Sequence, residues 1–247
     1  MIIYTFDGSF EGLLTCIYTA YYSKEKPEEI VPDWQYSPNL LSKPISILTE
    51  EEKSSKVYAA IKNKISPDAL ELIYHVYLSE IEGCCTLIYK YIQLGFKFGK
   101  AVDFHLHLDT VLNIHTIDKK VTYECHRMLG FVRFKSIENM YYSSIEPDYN
   151  ILGLIAPHFS SRLPSENWII HDLKRNSAVF YNKLEWILTP FTLENVNDFM
   201  VHEECETYET LWKEFYKTIA IANRINPKYQ KRNMPARYWK HLTELNE

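Results

Sequence analysis

Two hydrophobic rhythms divide the chain. Up to about residue 128 apolar side chains mostly return every three to four positions, the period of a helix; from Gly130 short runs that return every second position, the period of a strand, alternate with further helical stretches. Residues 1–5 read as a short buried strand, followed by an Asp7-Gly8-Ser9 turn in which Ser9 caps a helix. That helix carries Phe10, Leu13, Leu14, Ile17, Tyr18 and Tyr21 on one face and runs to about residue 23. Pro27, Pro32, Pro38 and Pro44 make residues 25–48 an extended surface loop. A helix over 51–64 comes next, and Ser66-Pro67-Asp68 starts another that carries Leu70, Ile73, Tyr74, Tyr77, Leu78 and Ile81. Gly83 interrupts this run before Leu87, Ile88, Tyr91 and Ile92, and a further helix is expected over 103–128.

After Gly130 the pattern predicts paired strands at 131–134 and 140–145, then a helix over 151–161 that tolerates Pro157. Residues 168–173, 177–181 and 185–188 form a predicted meander, with turns at Arg175-Asn176 and Asn182-Lys183. A last amphipathic helix presents Tyr208, Leu211, Trp212, Phe215 and Ile219. The expected class is α+β: an antiparallel sheet, a meander in the second half, covered by helices. The expected organisation is one compact domain over 1–247, with an N-terminal strand and helical half at 1–128 and a sheet-rich half with a C-terminal helix at 129–247.

Composition leaves this picture in place. The 247 residues are 46% hydrophobic and 24% charged, within globular limits and near the upper size for a single core. A net charge of −5 argues against coating nucleic acid by bulk charge but allows a local basic patch. The 19 Tyr, 12 Phe and 5 Trp suit either cores or stacking surfaces. The start carries no basic and apolar leader pattern and no span of about 20 apolar residues occurs, so the protein is expected to be soluble and cytoplasmic, without a membrane partner. Cys16, Cys84, Cys85, Cys125 and Cys205 lack metal-finger spacing and read as free thiols.

Candidate chemistry concentrates between His126 and Arg175. In Trp168-Ile169-Ile170-His171-Asp172-Leu173, strand alternation points His171 and Asp172 to opposite faces, so the pair does not converge on a metal, and His171 reads first as a structural histidine. Glu146-Pro147-Asp148 follows a strand; its carboxylates suit acid–base work, while Asp148 more simply starts the next helix. His158 and Arg162 lie one helical turn apart and suit a phosphate. His105 and Asp109 have an i, i+4 spacing on the expected 103–128 helix, with His115 beyond, but no further ligand supports a metal site, and none is assigned. In the C-terminal region Lys217, Arg224, Lys228, Lys231, Arg232, Arg237 and Lys240 interleave with Tyr229, Tyr238 and Trp239, a composition that meets phosphates and stacks on unpaired bases; the competing reading is a tail packed onto the acidic segment before it.

Taken in order, Tyr4-Thr5-Phe6-Asp7-Gly8-Ser9-Phe10-Glu11-Gly12, His126-Arg127-Met128-Leu129-Gly130-Phe131-Val132-Arg133-Phe134, Ile145-Glu146-Pro147-Asp148, Ala156-Pro157-His158-Phe159, Trp168-Ile169-Ile170-His171-Asp172 and Met234-Pro235-Ala236-Arg237-Tyr238-Trp239 resemble a bacterial family linked by name to DNA metabolism and DNA repair, without an established activity. The resemblance implies a radical-SAM protein as partner, and some relatives carry a fused uracil-DNA-glycosylase-like domain. This chain ends soon after Trp239 and lacks clustered cysteines for an iron–sulfur centre, so no cofactor is expected in it, and radical or glycosylase chemistry would belong to a partner.

Three functions compete. The leading one is an accessory protein that binds DNA, a radical-SAM partner or both, through Arg127, Arg133, Arg162, Arg175, Arg232, Arg237, Tyr238 and Trp239. The second is an enzyme acting on a nucleotide or damaged base, with His126, Glu146, His158, His171 and Asp172 as proton-transfer groups; it requires those side chains to converge. The third is an assembly module whose aromatic surface binds another protein.

Overall fold

A computed structural model of the chain describes residues 1–38, 40–137, 140–192, 206–219, 221 and 226–245. Two compact units emerge, Met1–Thr122 and Tyr123–Glu247. No helix among the described residues is long and apolar enough to cross a membrane.

The first unit is built on β1 (Ile2–Phe6), flanked in parallel by β2 (Glu29–Pro32) and β3 (Lys43–Ser46) in the order β2-β1-β3. These two outer strands lie where the sequence suggested only loop. Prolines misled that reading, because an edge strand leaves every second N–H unpaired and so admits Pro32 and Pro44, which a central strand would reject. Helix α1 (Phe10–Tyr22) begins as expected: Ser9 Oγ accepts the Gly12 N–H at 2.9 Å, and Asp7 accepts the Ser9 N–H at 2.9 Å. Gly8 turns the chain at φ +82°, and the Trp34 ring lies where a β-carbon would stand.

Helices α2 (Glu51–Lys64), α3 (Pro67–Leu78, capped by Ser66) and α4 (Cys84–Phe98, opened by left-handed Gly83) follow. Leu13, Ile17, Ile30, Ile61, Ile65, Ile73, Ile88 and Ile92 close the core around Phe6. Helix α5 (Asp109–Phe131) starts later than the expected 103, after a 3-10 segment at Gly99–Phe104. His105 is therefore off the helix, with its ring 4.2 Å from that of Phe98, and His115 pairs with Asp103 at 3.0 Å. Cys16, Cys84 and Cys85 are buried free thiols and Cys125 is half-buried.

The second unit confirms the α+β class. Its sheet runs β4-β5-β6-β7-β8: Lys135–Ile137, Met140–Ile145, Trp168–Asp172, Ser177–Tyr181 and Trp186–Pro190. The meander β6-β7-β8 is antiparallel, with positive φ at Asn176 and Lys183 in its turns. One pair departs from the expected antiparallel sheet: β5 and β6 are parallel, because helix α6 (Leu152–Arg162) is a crossover between them. The strand expected at 131–134 sits later, at β4, since α5 continues through Phe131; Phe134 instead joins the rings of Phe159 and Trp168 at 5.5 and 6.3 Å. Helix α7 (Glu206–Ile219) forms, but Leu211, Phe215 and Ile219 stay exposed rather than covering the sheet. Helix α8 (Pro227–Asn233) and 3-10 segments at Ala236–His241 and Thr243–Leu245 close the described chain.

Candidate functional site

Along the buried stripe of α5, Val121 and Met128 are apolar but Glu124, equally in phase, is a carboxylate only 4% exposed. A charge in that position needs several donors, and it has them. One oxygen accepts the Asp148 N–H at 2.8 Å and the Tyr238 hydroxyl; the other accepts the Tyr149 N–H at 2.9 Å. Burial and the hydrogen bond to Glu124 push the Tyr238 phenol well above its ordinary range, so it remains a donor at neutral pH. Three distant stretches of chain, α5, the Glu146-Pro147-Asp148 loop and the C-terminal 3-10 segment, are thereby tied to one buried anion.

Above it lies a cleft of about 700 Å³ lined by Glu146, Pro147, Asp148, Lys174, Ala236, Arg237 and Lys240. Arg237 Nη2 meets Asp148 Oδ2 at 2.5 Å and donates to the Tyr238 hydroxyl at 2.7 Å. Lys240 pairs with Glu146, and Lys174 Nζ donates to the Asp148 carbonyl at 3.0 Å. Asp148 does not cap α6, whose first residue is Leu152; its backbone serves Glu124 and its carboxylate serves Arg237.

Arg175 and Asp172 hold this loop from behind. The Arg175 guanidinium donates to Asp172 Oδ2 at 3.0 Å and to the carbonyls of Pro147 and Asp148 at 3.2 and 2.8 Å, while Asp172 Oδ1 accepts the Lys174 N–H at 2.9 Å. Asp172 is fully buried, and burial raises its pKa against the pull of Arg175. His171 points the other way, as alternation requires. Its Nε2–H donates to the Phe191 carbonyl at 3.1 Å, which leaves Nδ1 to accept the Tyr142 hydroxyl at 2.9 Å.

Both ring nitrogens are satisfied, so His171 is neutral and structural, and burial lowers its pKa. A histidine with a depressed folded-state value contributes stability that is complete above the unfolded value of about 6.5 and is lost as pH falls through the folded one. Urea midpoints measured from pH 7.5 to pH 5 are therefore expected to fall in the wild type and to fall less in His171→Gln, which keeps a donor and an acceptor but does not titrate. Equal slopes would overturn the assignment.

The remaining candidates separate. His126 is exposed on α5, and His158 and Arg162 are exposed on α6. Of the five proton-transfer candidates, Glu146 alone lines the cleft. Arg127 donates to the Tyr123 hydroxyl at 3.2 Å and to the Arg232 carbonyl at 3.1 Å, with its guanidinium 4.2 Å from the Tyr123 ring centre. Arg133 grips Glu244 through two bonds of 2.6 and 3.1 Å. Trp239 donates its indole N–H to the Met234 carbonyl at 2.8 Å, with Lys231 Nζ 5.9 Å from its ring. Lys228, Tyr229, Lys231 and Arg232 stand exposed on α8, and Arg224 lies outside the described residues. Sequence reasoning misses Glu124 and Lys174. For Glu124 the signal is present: an acid at the buried phase of a helix between Val121 and Met128.

A family model described as a domain of unknown function, DUF4130, matches residues 82–244. Neither a curated protein nor a solved structure matches the chain.

Proposed function

Because this chain belongs to the DUF4130 family of domains of unknown function, its role has to be read from its own residues, and we propose that its second unit is a nucleic-acid-binding accessory module. The observation that carries the reading is the anchored C-terminal segment. Arg127 donates to the Arg232 carbonyl at 3.1 Å, buried Glu124 holds Tyr238, and Glu244, with a side chain only 3% exposed, is gripped by Arg133, so the segment is seated rather than trailing. Lys228, Lys231 and Arg232 are left exposed beside exposed Tyr229, with Trp239 under Lys231. Cations alternating with aromatic rings follow a phosphate backbone while stacking on unpaired bases, which favours a single strand over a duplex. The resemblance to proteins of DNA metabolism supports the same reading, and through it a radical-SAM protein is the proposed partner, one that would supply the chemistry this unit does not.

Fluorescence anisotropy with a labelled single-stranded oligonucleotide tests it. Binding is expected to weaken linearly in log–log form with salt. Replacing Lys228, Lys231 and Arg232 by Ala together is expected to lower the slope by about two, at roughly 0.7 for each phosphate that is no longer neutralised. Absence of binding at low ionic strength, with and without the partner, would sink the proposal.

A further inference from the structure

Among the described residues the sheet of the second unit ends at β8, and no strand pairs with its outer side. The hairpin register shows which backbone groups face outward. The Asn182 N–H bonds the Glu185 carbonyl at 3.2 Å and the Phe191 N–H bonds the Asn176 carbonyl at 2.8 Å, bracketing the ladder that runs from Tyr181↔Trp186 to Ser177↔Pro190. Antiparallel pairs alternate, so Ile187 and Thr189 bond to β7, while Trp186, Leu188 and Pro190 turn their polar groups away from it. Ile187 is 55% exposed and Leu188 50%, and no charged residue occurs from Trp186 through Thr192. Natural edge strands are shielded by charges, bulges or prolines, and here Pro190 is the one such device.

We propose that a second copy of this chain docks antiparallel on β8 about a two-fold axis through Ile187, joining two sheets into one. In this register Trp186 of each copy exchanges both backbone hydrogen bonds with Leu188 of the other, and Ile187 meets its own counterpart in the closely spaced, non-hydrogen-bonded position. Pro190, which has no N–H to give, falls outside the bonded window. An axis through Leu188 instead would set Trp186 against Pro190 and lose a donor at each end. The charges do not oppose the pairing: Glu185 faces Thr189 and Lys183 faces Phe191, so no like charges meet. A strand whose free groups, apolar side chains and neutral run complement themselves is matched by its own copy, and a two-fold contact uses the same β8 edge on both copies, so the pairing stops at two.

Sedimentation velocity on the full chain is expected to show a concentration-dependent dimer. Leu188→Pro is expected to raise the dimer dissociation constant at least tenfold with an unchanged circular dichroism spectrum, because the Leu188 N–H takes no part in the β7 ladder. Where that variant loses its fold, Leu188→Lys replaces it with the same expectation. The register has its own readout: Ile187→Cys is expected to cross-link into a disulfide dimer under mild oxidation and Thr189→Cys is not. A wild type that stays monomeric at all concentrations, a dimer that survives both Leu188 substitutions, or cross-linking at 189 rather than 187 would each overturn the proposal.

Discussion

Glu124→Leu is expected to destabilise the second unit by about 3–5 kcal/mol, the order for three donors that lose one shared buried acceptor. The leucine fits the apolar stripe of α5 between Val121 and Met128, so poorer packing is a minor effect. What counts is that the Asp148 and Tyr149 N–H groups and the Tyr238 hydroxyl lose their common acceptor, and a buried donor without a partner costs about 1–3 kcal/mol. Glu124→Gln keeps one carbonyl oxygen but turns an amide N–H toward a donor, and should fall between. Tyr238→Phe removes one donor and leaves the carboxylate two backbone N–H groups; a loss of about 1.5–3 kcal/mol is expected, as for a hydrogen bond to a charged group. Chemical denaturation followed by circular dichroism would rank the three. A Glu124→Leu change below about 1 kcal/mol would show that the three donors find other partners and that Glu124 does not organise the cleft.

That carboxylate marks the limit of what the chain discloses as a string. Local signals were legible: the helical period with Ser9 and Ser66 as caps located α1 and α3, and two-residue alternation separated His171 from Asp172. Signals that depend on a neighbour were not. Pro32 and Pro44 read as breakers because a strand's tolerance for proline depends on whether it lies at an edge, which is a property of the sheet. Glu146, Arg237 and Tyr238 were recognisable as chemistry, but their convergence was not, since Tyr238 reaches Glu124 across 114 residues of sequence. His158 and Arg162 illustrate the converse: one helical turn apart, they share an exposed face and no part of the cleft lining.

The second anchor of the C-terminal segment should be visible through pH. Burial alone would raise Glu244, but the hydrogen bonds from Arg133 and Trp212 and the Arg133 charge outweigh it and hold the carboxyl below its ordinary value. A depressed carboxylate contributes stability that is present above the unfolded value, about 4.3 for a glutamate, and is lost as pH falls through the folded one. Arg133→Ala removes both the 2.6 and the 3.1 Å bonds and leaves a nearly buried carboxylate with the Trp212 indole N–H at 3.0 Å. A loss of about 3 kcal/mol is expected at pH 7, at the lower end for a broken buried pair because Arg133 itself is partly exposed. At pH 3, below the unfolded value, the unfolded chain takes up the proton that the folded carboxylate resists, so the pair's advantage shrinks and the gap between wild type and variant should narrow. Urea midpoints at the two pH values, read from tryptophan fluorescence and from circular dichroism together, would measure it. A gap that is the same at both would mean that Arg133 acts through its packing over the Trp212 ring, 5.8 Å from the ring centre, and not through the Glu244 pair.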